Sequence, residues 1–161
     1  MRIAMSGPEI RRCMVTCLIA AFVAGCATTA PPRPAILDAT VVAGPSVNPD
    51  GDGRASPVVV EIFELSSLTP FQEANFGDLY TKEKQTLGDS LLATHSMIVS
   101  PGARKAVKTS MAPQTSALGV IAGFAHLDGL QWRGALQTLP GKDARVAIAI
   151  DDSGITVRPA Q

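Results

Sequence analysis

The fold is decided by residues 145–157, which read RVAIAIDDSGITV. Val146, Ile148 and Ile150 alternate with charged or small residues, and this period of two predicts a strand with one apolar face. Asp151-Asp152-Ser153-Gly154 then turns the chain into a second apolar alternation. Because glycine readily takes a left-handed backbone, the segment predicts a β-hairpin.

The same alternation recurs along most of the chain. Clear strand candidates cover residues 36–42, 58–65, 118–124 and 130–137, and weaker ones cover 92–99 and 104–111. In the fourth of these runs, Leu130, Trp132 and Leu136 share the apolar face. Seven or eight short strands separated by turns predict a mainly β protein, a two-sheet β-sandwich.

Residues 68–91 interrupt this pattern and predict a small helical insertion. Thr69–Gln72 suggests a helix start with Thr69 as N-cap and a proline in the first turn. Thr81 is expected to cap a second short helix, which Gly88 ends. The predicted buried side of the insertion comprises Phe71, Phe76, Leu79, Tyr80 and Leu87.

The first 25 residues have the pattern of a signal peptide. Three arginines precede the apolar stretch Cys13–Gly25, which is too short to cross a bilayer as a helix. It ends in Val23-Ala24-Gly25-Cys26, which matches the bacterial lipobox. We therefore expect a covalent lipid on Cys26 and no other cofactor.

The residue after the lipobox bears on the destination of the chain. Ala27 stands where an Asp commonly retains such proteins in the inner membrane. The expected location is therefore the periplasmic face of the outer membrane, reached through the lipid anchor. Residues 1–25 are then the leader, 26–34 the lipidated Cys and a Pro-rich tether, and 35–161 the β-sandwich domain.

Charge and residue content exclude several functions for the mature chain. Outside the leader, 11 basic and 13 acidic residues remain without a basic run, which argues against nucleic acid or anionic lipid headgroups as partners. Cys26 is its only cysteine, so neither a disulfide nor a thiolate metal site is expected. His95 and His126 are too few for a zinc site, and Asp128-Gly129 is better explained as a turn. No catalytic residue and no metal ligand is predicted.

The segment Gly44–Pro57 is unusually long for a loop between two strands of a compact domain. Its Asp50-Gly51-Asp52-Gly53 resembles the start of a calcium loop. However, Arg54 and Ala55 stand where an EF-hand requires an oxygen ligand and a glycine. Composition alone fits a mobile loop and a partner-binding loop equally well.

Five features occur in a characteristic order along the chain. They are the lipobox at Cys26, Asn48-Pro49-Asp50 with Gly53-Arg54, Ser56–Val60 leading into Ile62–Leu65, Phe71–Tyr80 with Leu87-Gly88 and Leu91-Leu92, and Leu118-Gly119-Val120 through Leu127-Asp128 to Trp132-Arg133. In this order and spacing the chain resembles the TssJ/VasD (SciN) family of type VI secretion system outer-membrane lipoproteins, over about residues 26–157.

The resemblance implies a transthyretin-like β-sandwich with an added helical element and no enzymatic activity. It implies binding to the periplasmic C-terminal domain of the inner-membrane TssM subunit, alongside other subunits of the membrane complex. In that family the loop between the first two strands makes the contact. It maps onto Asn48, Pro49, Asp50, Gly51, Asp52, Gly53 and Arg54.

Two other classes of function compete with this interpretation. A periplasmic small-ligand-binding lipoprotein would need a concave pocket with convergent polar groups, for which the sequence offers only Thr94, His95 and His126. An enzyme would draw support from the fold alone, and a fold does not imply a function.

Overall fold

The computed structural model describes residues 33–160, so the predicted leader, the lipobox and most of the tether lie outside the described residues. The strands are β1 Ile36–Ala43, β2 Val58–Leu65, β3 Leu91–Val99, β4 Arg104–Ser110, β5 Ala117–Gly123, β6 Arg133–Gln137, β7 Ala144–Asp151 and β8 Gly154–Pro159. The helices are α1 Thr69–Glu73 and α2 Phe76–Leu87, followed by a 3-10 turn at Gly88–Ser90.

The strands form two four-stranded sheets. Sheet I has the order β4-β1-β7-β8 and sheet II the order β3-β2-β5-β6. β1 and β7 run parallel, whereas the other neighbouring strands of both sheets are antiparallel. The predicted two-sheet β-sandwich with a small helical insertion is therefore confirmed.

The alternation seen in the sequence becomes the inner face of sheet I. β7 alternates strictly between buried and exposed residues, and Val146, Ile148 and Ile150 are each 1% exposed. Their partners across the sandwich include Val58, Val60 and Ile62 of β2. Burying such aliphatic side chains stabilises the fold by about 1.5–3 kcal/mol each.

The central strands β2 and β5 of sheet II are largely buried on both faces, because the helices cover the outer side of the sheet. Phe71 of α1 lies on Gly119 of β5, where an added Cβ would stand 2.7 Å from the Phe71 ring. Leu79 and Leu87 of α2 complete this second apolar cluster. Two predicted members differ: Phe76 is half-buried, and Tyr80 stacks on it with 5.2 Å between ring centroids while remaining 38% exposed.

The helix caps differ from those predicted. Thr69 is the first residue inside α1, which Leu68 precedes without a side-chain cap. Asn75 caps α2 instead, because its Oδ1 accepts a hydrogen bond of 2.9 Å from Asp78 N. Thr81 donates its hydroxyl to Gly77 O within the helix, one residue before a kink at Lys82. The end at Gly88 is as predicted, with φ +51°.

The predicted strand at residues 130–137 begins three residues later, at Arg133. Gln131 leaves sheet II and pairs in parallel with Gly154 of sheet I, and Ile155 N donates to Gln131 O at 2.7 Å. Gly154 has φ +123°, and a side chain there would collide with the Gln131 backbone. Trp132 is consequently half-buried, with its ring 5.4 Å from that of Phe76.

Strand directions give the domain two distinct ends. The tether end, where β1 begins, holds Arg33 and the connections 111–116 and 138–143. The loop end, where β1 stops, holds the loop 44–57, the connection 124–132 and the turn of the β7–β8 hairpin. Within residues 33–160 no helix has the length and apolarity needed to cross a membrane.

Candidate functional site

The loop between β1 and β2 is fixed at its base by two buried residues. Val47 is fully buried, and Asn48 is 7% exposed with a left-handed backbone at φ +52°. The Asn48 Nδ2 donates to Pro57 O at 2.8 Å, and its Oδ1 accepts from Ala125 N at 2.7 Å. One amide side chain therefore closes the loop on itself and joins it to the connection after β5.

The tip of this loop, residues 49–55, is a small hairpin organised around one carboxylate. Pro49 and Ala55 form an isolated β-bridge. Asp50 Oδ1 accepts from Asp52 N at 3.0 Å and from Arg54 N at 2.9 Å, while Asp50 Oδ2 lies 3.1 Å from Arg54 Nε. The backbone N–H of Arg54 is the main group that holds the pKa of Asp50 below its ordinary value.

The charges of the tip neutralise one another in part. Arg54 Nη2 lies 2.7 Å from Asp52 Oδ2, so a single guanidinium bridges Asp50 and Asp52. The Arg54 side chain is nevertheless 74% exposed. The tip is therefore mostly exposed, and among the seven residues predicted to contact a partner only Asn48, at the base of the loop, is buried.

A shallow groove of about 450 Å³ separates the tip from the connection after β5. Asp50 lines one side, and His126 and Asp128 line the other, with Asp152 of the β7–β8 turn nearby. No sequence pattern joins these segments to the loop, because His126, the nearest of the three residues along the chain, lies 76 positions after Asp50. The tertiary structure thus adds acidic groups to the candidate site.

The paired aspartates of this loop are the feature that resembles a calcium site. In the structure, the Arg54 guanidinium occupies the space between them, which serves the role that a cation would otherwise fill. Among residues 33–160 no group of three or more His, Cys, Asp and Glu side chains is arranged to hold a metal ion.

Sequence reasoning missed a buried carboxylate at the tether end. Glu64 of β2 is fully buried, and its Oε1 lies 2.8 Å from His95 Nε2. Its Oε2 accepts from Ala112 N at 2.8 Å and from the Thr115 hydroxyl at 3.0 Å. Burial raises the pKa of Glu64, but the hydrogen bonds from His95, Ala112 and Thr115 outweigh it, so the pKa is lowered.

The Glu64 network accounts for one polar candidate of the ligand-carrier alternative, His95, whereas Thr94 is exposed and His126 lines the groove at the loop end. Thr115 donates to Glu64 and not to His95, so the imidazole is not positioned to activate this hydroxyl. In the described part of the chain, every buried side-chain N or O atom has a hydrogen-bond partner. The network therefore fastens the connection 111–116 to β2. A carboxylate inside an apolar run was the one signal in the sequence that could have indicated it.

A protein-family model described as "Type VI secretion lipoprotein, VasD, EvfM, TssJ, VC_A0113" (T6SS-SciN) matches residues 35–153. That range includes all of sheet II, three of the four strands of sheet I, the helical insertion and the loop tip. The chain belongs to the type VI secretion lipoprotein family. The resemblance found in the sequence is thereby confirmed.

Solved structures agree with this assignment. The T6SS lipoprotein TssJ1 from Pseudomonas aeruginosa is 27% identical with a TM-score of 0.74, and the match covers 80% of this chain and 100% of that one. Lip of Serratia marcescens, a membrane-bound component of the type VI secretion system, is 26% identical with a TM-score of 0.71, covering 80% and 98%.

A third match bears on the fold alone. A chain in the structure of the T6SS protein TssM C-terminal domain from EAEC is 23% identical with a TM-score of 0.62, covering 78% of this chain and 98% of that one. No curated protein matches the chain. The family to which the chain belongs is one of type VI secretion lipoproteins.

Proposed function

We propose that this protein is an outer-membrane-anchored lipoprotein of the type VI trans-envelope complex. It docks the periplasmic C-terminal domain of the inner-membrane TssM subunit through the loop tip. The observation that carries the proposal is the opposition of the two ends: the tether enters at one end of the sandwich, and the tip lies at the other.

The separation of the two ends follows from β1. This strand begins at Ile36, three residues after Arg33, and leads from Ala43 directly into the loop. Its eight residues span about 26 Å at about 3.3 Å per residue. A domain held to a membrane through Cys26 can therefore hold its tip away from that membrane, toward a partner from the opposite membrane.

The contact itself is assigned to the exposed residues of the tip, Pro49 and Gly51 to Arg54. Asn48 is a positioning residue, because its amide is buried and both of its polar ends are occupied. The Asp50–Arg54–Asp52 pairing fixes the tip before binding, which reduces the conformational entropy lost on association. Arg54 keeps most of its surface exposed, and an exposed guanidinium binds carboxylate or backbone oxygens well.

The binding test is a calorimetric titration of the purified TssM periplasmic domain. The variant Asp52→Ser with Arg54→Ser should bind at least about tenfold more weakly than the wild type, as expected for loss of a central charged contact. The matched control is Lys84→Ser with Asp89→Ser, which also removes one exposed cation and one exposed anion, but in the helical insertion. Equal affinity of tip variant and wild type would place the binding surface elsewhere.

The anchoring test is independent of the partner. Cys26→Ser should leave an unlipidated protein that no longer fractionates with the outer membrane, whereas the domain still folds because residue 26 precedes it. Ala27→Asp should shift the protein toward the inner membrane. A Cys26→Ser variant that is matured and still membrane-bound would refute the anchor.

A wild-type protein that binds no TssM domain under any condition would favour the ligand-carrier alternative.

A further inference from the structure

The tether end gathers positive charges that are scattered in the sequence. Arg33 lies 2.7 Å from Asp143, whose other oxygen accepts from Ile36 N at 2.9 Å. Lys142 is exposed beside them. The start of the domain is thus fastened to the connection between β6 and β7.

Two more cations stand on the adjoining edge of sheet I. Asp38 of β1 is paired in register with Lys108 of β4 on one side and with Arg145 of β7 on the other. The Lys108 ammonium is 3.9 Å from the Asp38 carboxylate. Taken with the previous cluster, four exposed cations surround two carboxylates, so this group of six side chains has a net positive charge.

The same end also exposes an aliphatic side chain. Leu139 is 71% exposed, more than any other large hydrophobic residue among those described. It opens a tight turn in which Lys142 N donates to Leu139 O at 3.0 Å. Leu139, Lys142 and Arg145 line one shallow groove of about 510 Å³. A single exposed leucine is ordinary on a surface, but here cations flank it.

The length of the tether limits what can face this surface. Arg33 stands seven positions after Cys26, and a Pro-rich chain extends by about 3.1 Å per residue, which gives a reach of about 20 Å. If Cys26 carries a lipid, the tether end cannot leave the neighbourhood of the bilayer. Contacts too weak to hold a free protein then become effective, because the anchor supplies a high local concentration.

We propose that the tether-end patch, made of Arg33, Lys108, Leu139, Lys142 and Arg145, docks on the membrane surface. Its cations bind anionic phospholipid headgroups, and Leu139 enters the interfacial layer. This inference rests on the proposed lipid anchor at Cys26. It also revises the expectation, drawn from the overall charge balance, that anionic lipid headgroups are not a partner. The net charge of the whole mature chain does not reveal the excess of cations in this patch.

Docking of this patch would orient the domain as well as hold it. A lipid joined to the domain by the short tether alone leaves the sandwich free to tumble, whereas a second contact on the same end fixes the direction of β1. The loop tip then points away from the membrane. A basic patch beside a lipid anchor adds electrostatic attraction to anionic lipids.

The test uses the full acylated protein, purified from membranes and reconstituted into vesicles of phosphatidylethanolamine and phosphatidylglycerol. Because an acylated Cys26 has no free thiol, Pro140→Cys introduces one fluorophore site within the patch while keeping all its members. Ser100→Cys is the matched control, since it is also an exposed position next to a turn, but at the loop end. Quenching by spin-labelled lipid and by aqueous iodide reports where each fluorophore lies.

The fluorophore at residue 140 should be quenched by lipid and shielded from iodide, and that at residue 100 should show the reverse. The double variant Lys142→Gln with Arg145→Gln should lower the ratio of docked to undocked protein about fivefold for each cation removed. Vesicles of phosphatidylcholine alone, which carry no anionic headgroups, should also lower the docked fraction of the wild type.

Three results would overturn the proposal while leaving the anchor intact. They are equal iodide access at residues 140 and 100, shielding that is unchanged in phosphatidylcholine, and shielding that appears only when the TssM domain is added. The last would make the patch a protein-binding site. Failure of the wild type to stay on vesicles would instead reject the anchor, and with it this inference.

Discussion

Two carboxylates, Glu64 at the tether end and Asp50 at the loop end, have nearly the same hydrogen-bond arrangement in very different surroundings. In each carboxylate, one oxygen accepts hydrogen bonds from two donors. The other oxygen pairs with a basic side chain, His95 for Glu64 and Arg54 for Asp50. Each has a lowered pKa. However, Glu64 is fully buried, whereas the side chain of Asp50 is 35% exposed.

This difference separates stability from recognition. When a buried carboxylate and its hydrogen-bond partners are separated, water cannot take the place of the missing group. The network at Glu64 therefore contributes to the stability of the fold. At Asp50, water can replace each lost hydrogen bond, and the same geometry shapes only the tip. The predictions below test this contrast, beginning with the largest expected effect on stability.

Replacing Glu64 by Ala should lower the free energy of unfolding by about 3–5 kcal/mol, because Ala112 N–H, the Thr115 hydroxyl and His95 would lose a buried acceptor. Urea unfolding, followed by the fluorescence emission of Trp132, the only Trp, measures this loss of stability. Glu64→Gln is the control and should lose less, since it keeps one oxygen acceptor. A loss under about 1 kcal/mol for Ala would place the role of Glu64 outside stability.

The second prediction concerns Asn48, which is intermediate between the two networks because it is buried but belongs to the loop. Asn48→Ala should cost about 2 kcal/mol, since Pro57 O and Ala125 N lose their partner and Ala must adopt φ +52°. Asn48→Gly, which accepts that backbone, should recover part of the loss. Thermal unfolding of both variants measures this, and equal stability of Ala and wild type would show that the loop base does not anchor the domain.

The third prediction is the pH dependence of the buried network. Because the pKa of Glu64 is lowered from 4.5 in the folded state, its contribution is present above that value and is lost as the pH falls through the lower folded value. The stability difference between wild type and Glu64→Gln should therefore shrink on acidification below 4.5. A difference that stays constant with pH would mean that folding leaves the pKa of Glu64 unchanged, and a difference that grows on acidification would mean that folding raises it.

The smallest effect is expected at the exposed network. Asp50→Asn keeps an oxygen that can accept from Asp52 N and Arg54 N and removes only the charge facing the Arg54 guanidinium. Its urea midpoint should equal that of the wild type within error, because exposed ion pairs contribute little. A midpoint shift as large as that of Asn48→Ala would contradict the division between the two networks.

The local features of the fold were predictable because they depend on neighbours in sequence. Alternation over residues 145–157 fixed β7, β8 and their turn, and the loop begins and ends at the predicted Gly44 and Pro57. Errors arose where a distant segment competed. Leu130 to Trp132 alternate as a strand should, yet Gln131 pairs with the hairpin of the other sheet.

The candidate site was predictable only in part, for the same reason. The tip residues were found from loop length and from the family resemblance, and their contact with a partner stays a prediction. The sequence did not indicate that Asn48 reaches Ala125, or that Asp128 and Asp152 lie beside the tip, because no pattern joins residues so far apart.

By itself the sequence determined the two-sheet sandwich, the position of its helical insertion, the long loop and the family, since alternation, turn residues and ordered motifs are read along the chain. Only the tertiary structure decided which charges meet. It buried Glu64 against His95, neutralised Arg54 within the tip and gathered four cations at the tether end. The physical reason is that burial and electrostatic pairing depend on distances in space, which strand pairing sets and composition averages away.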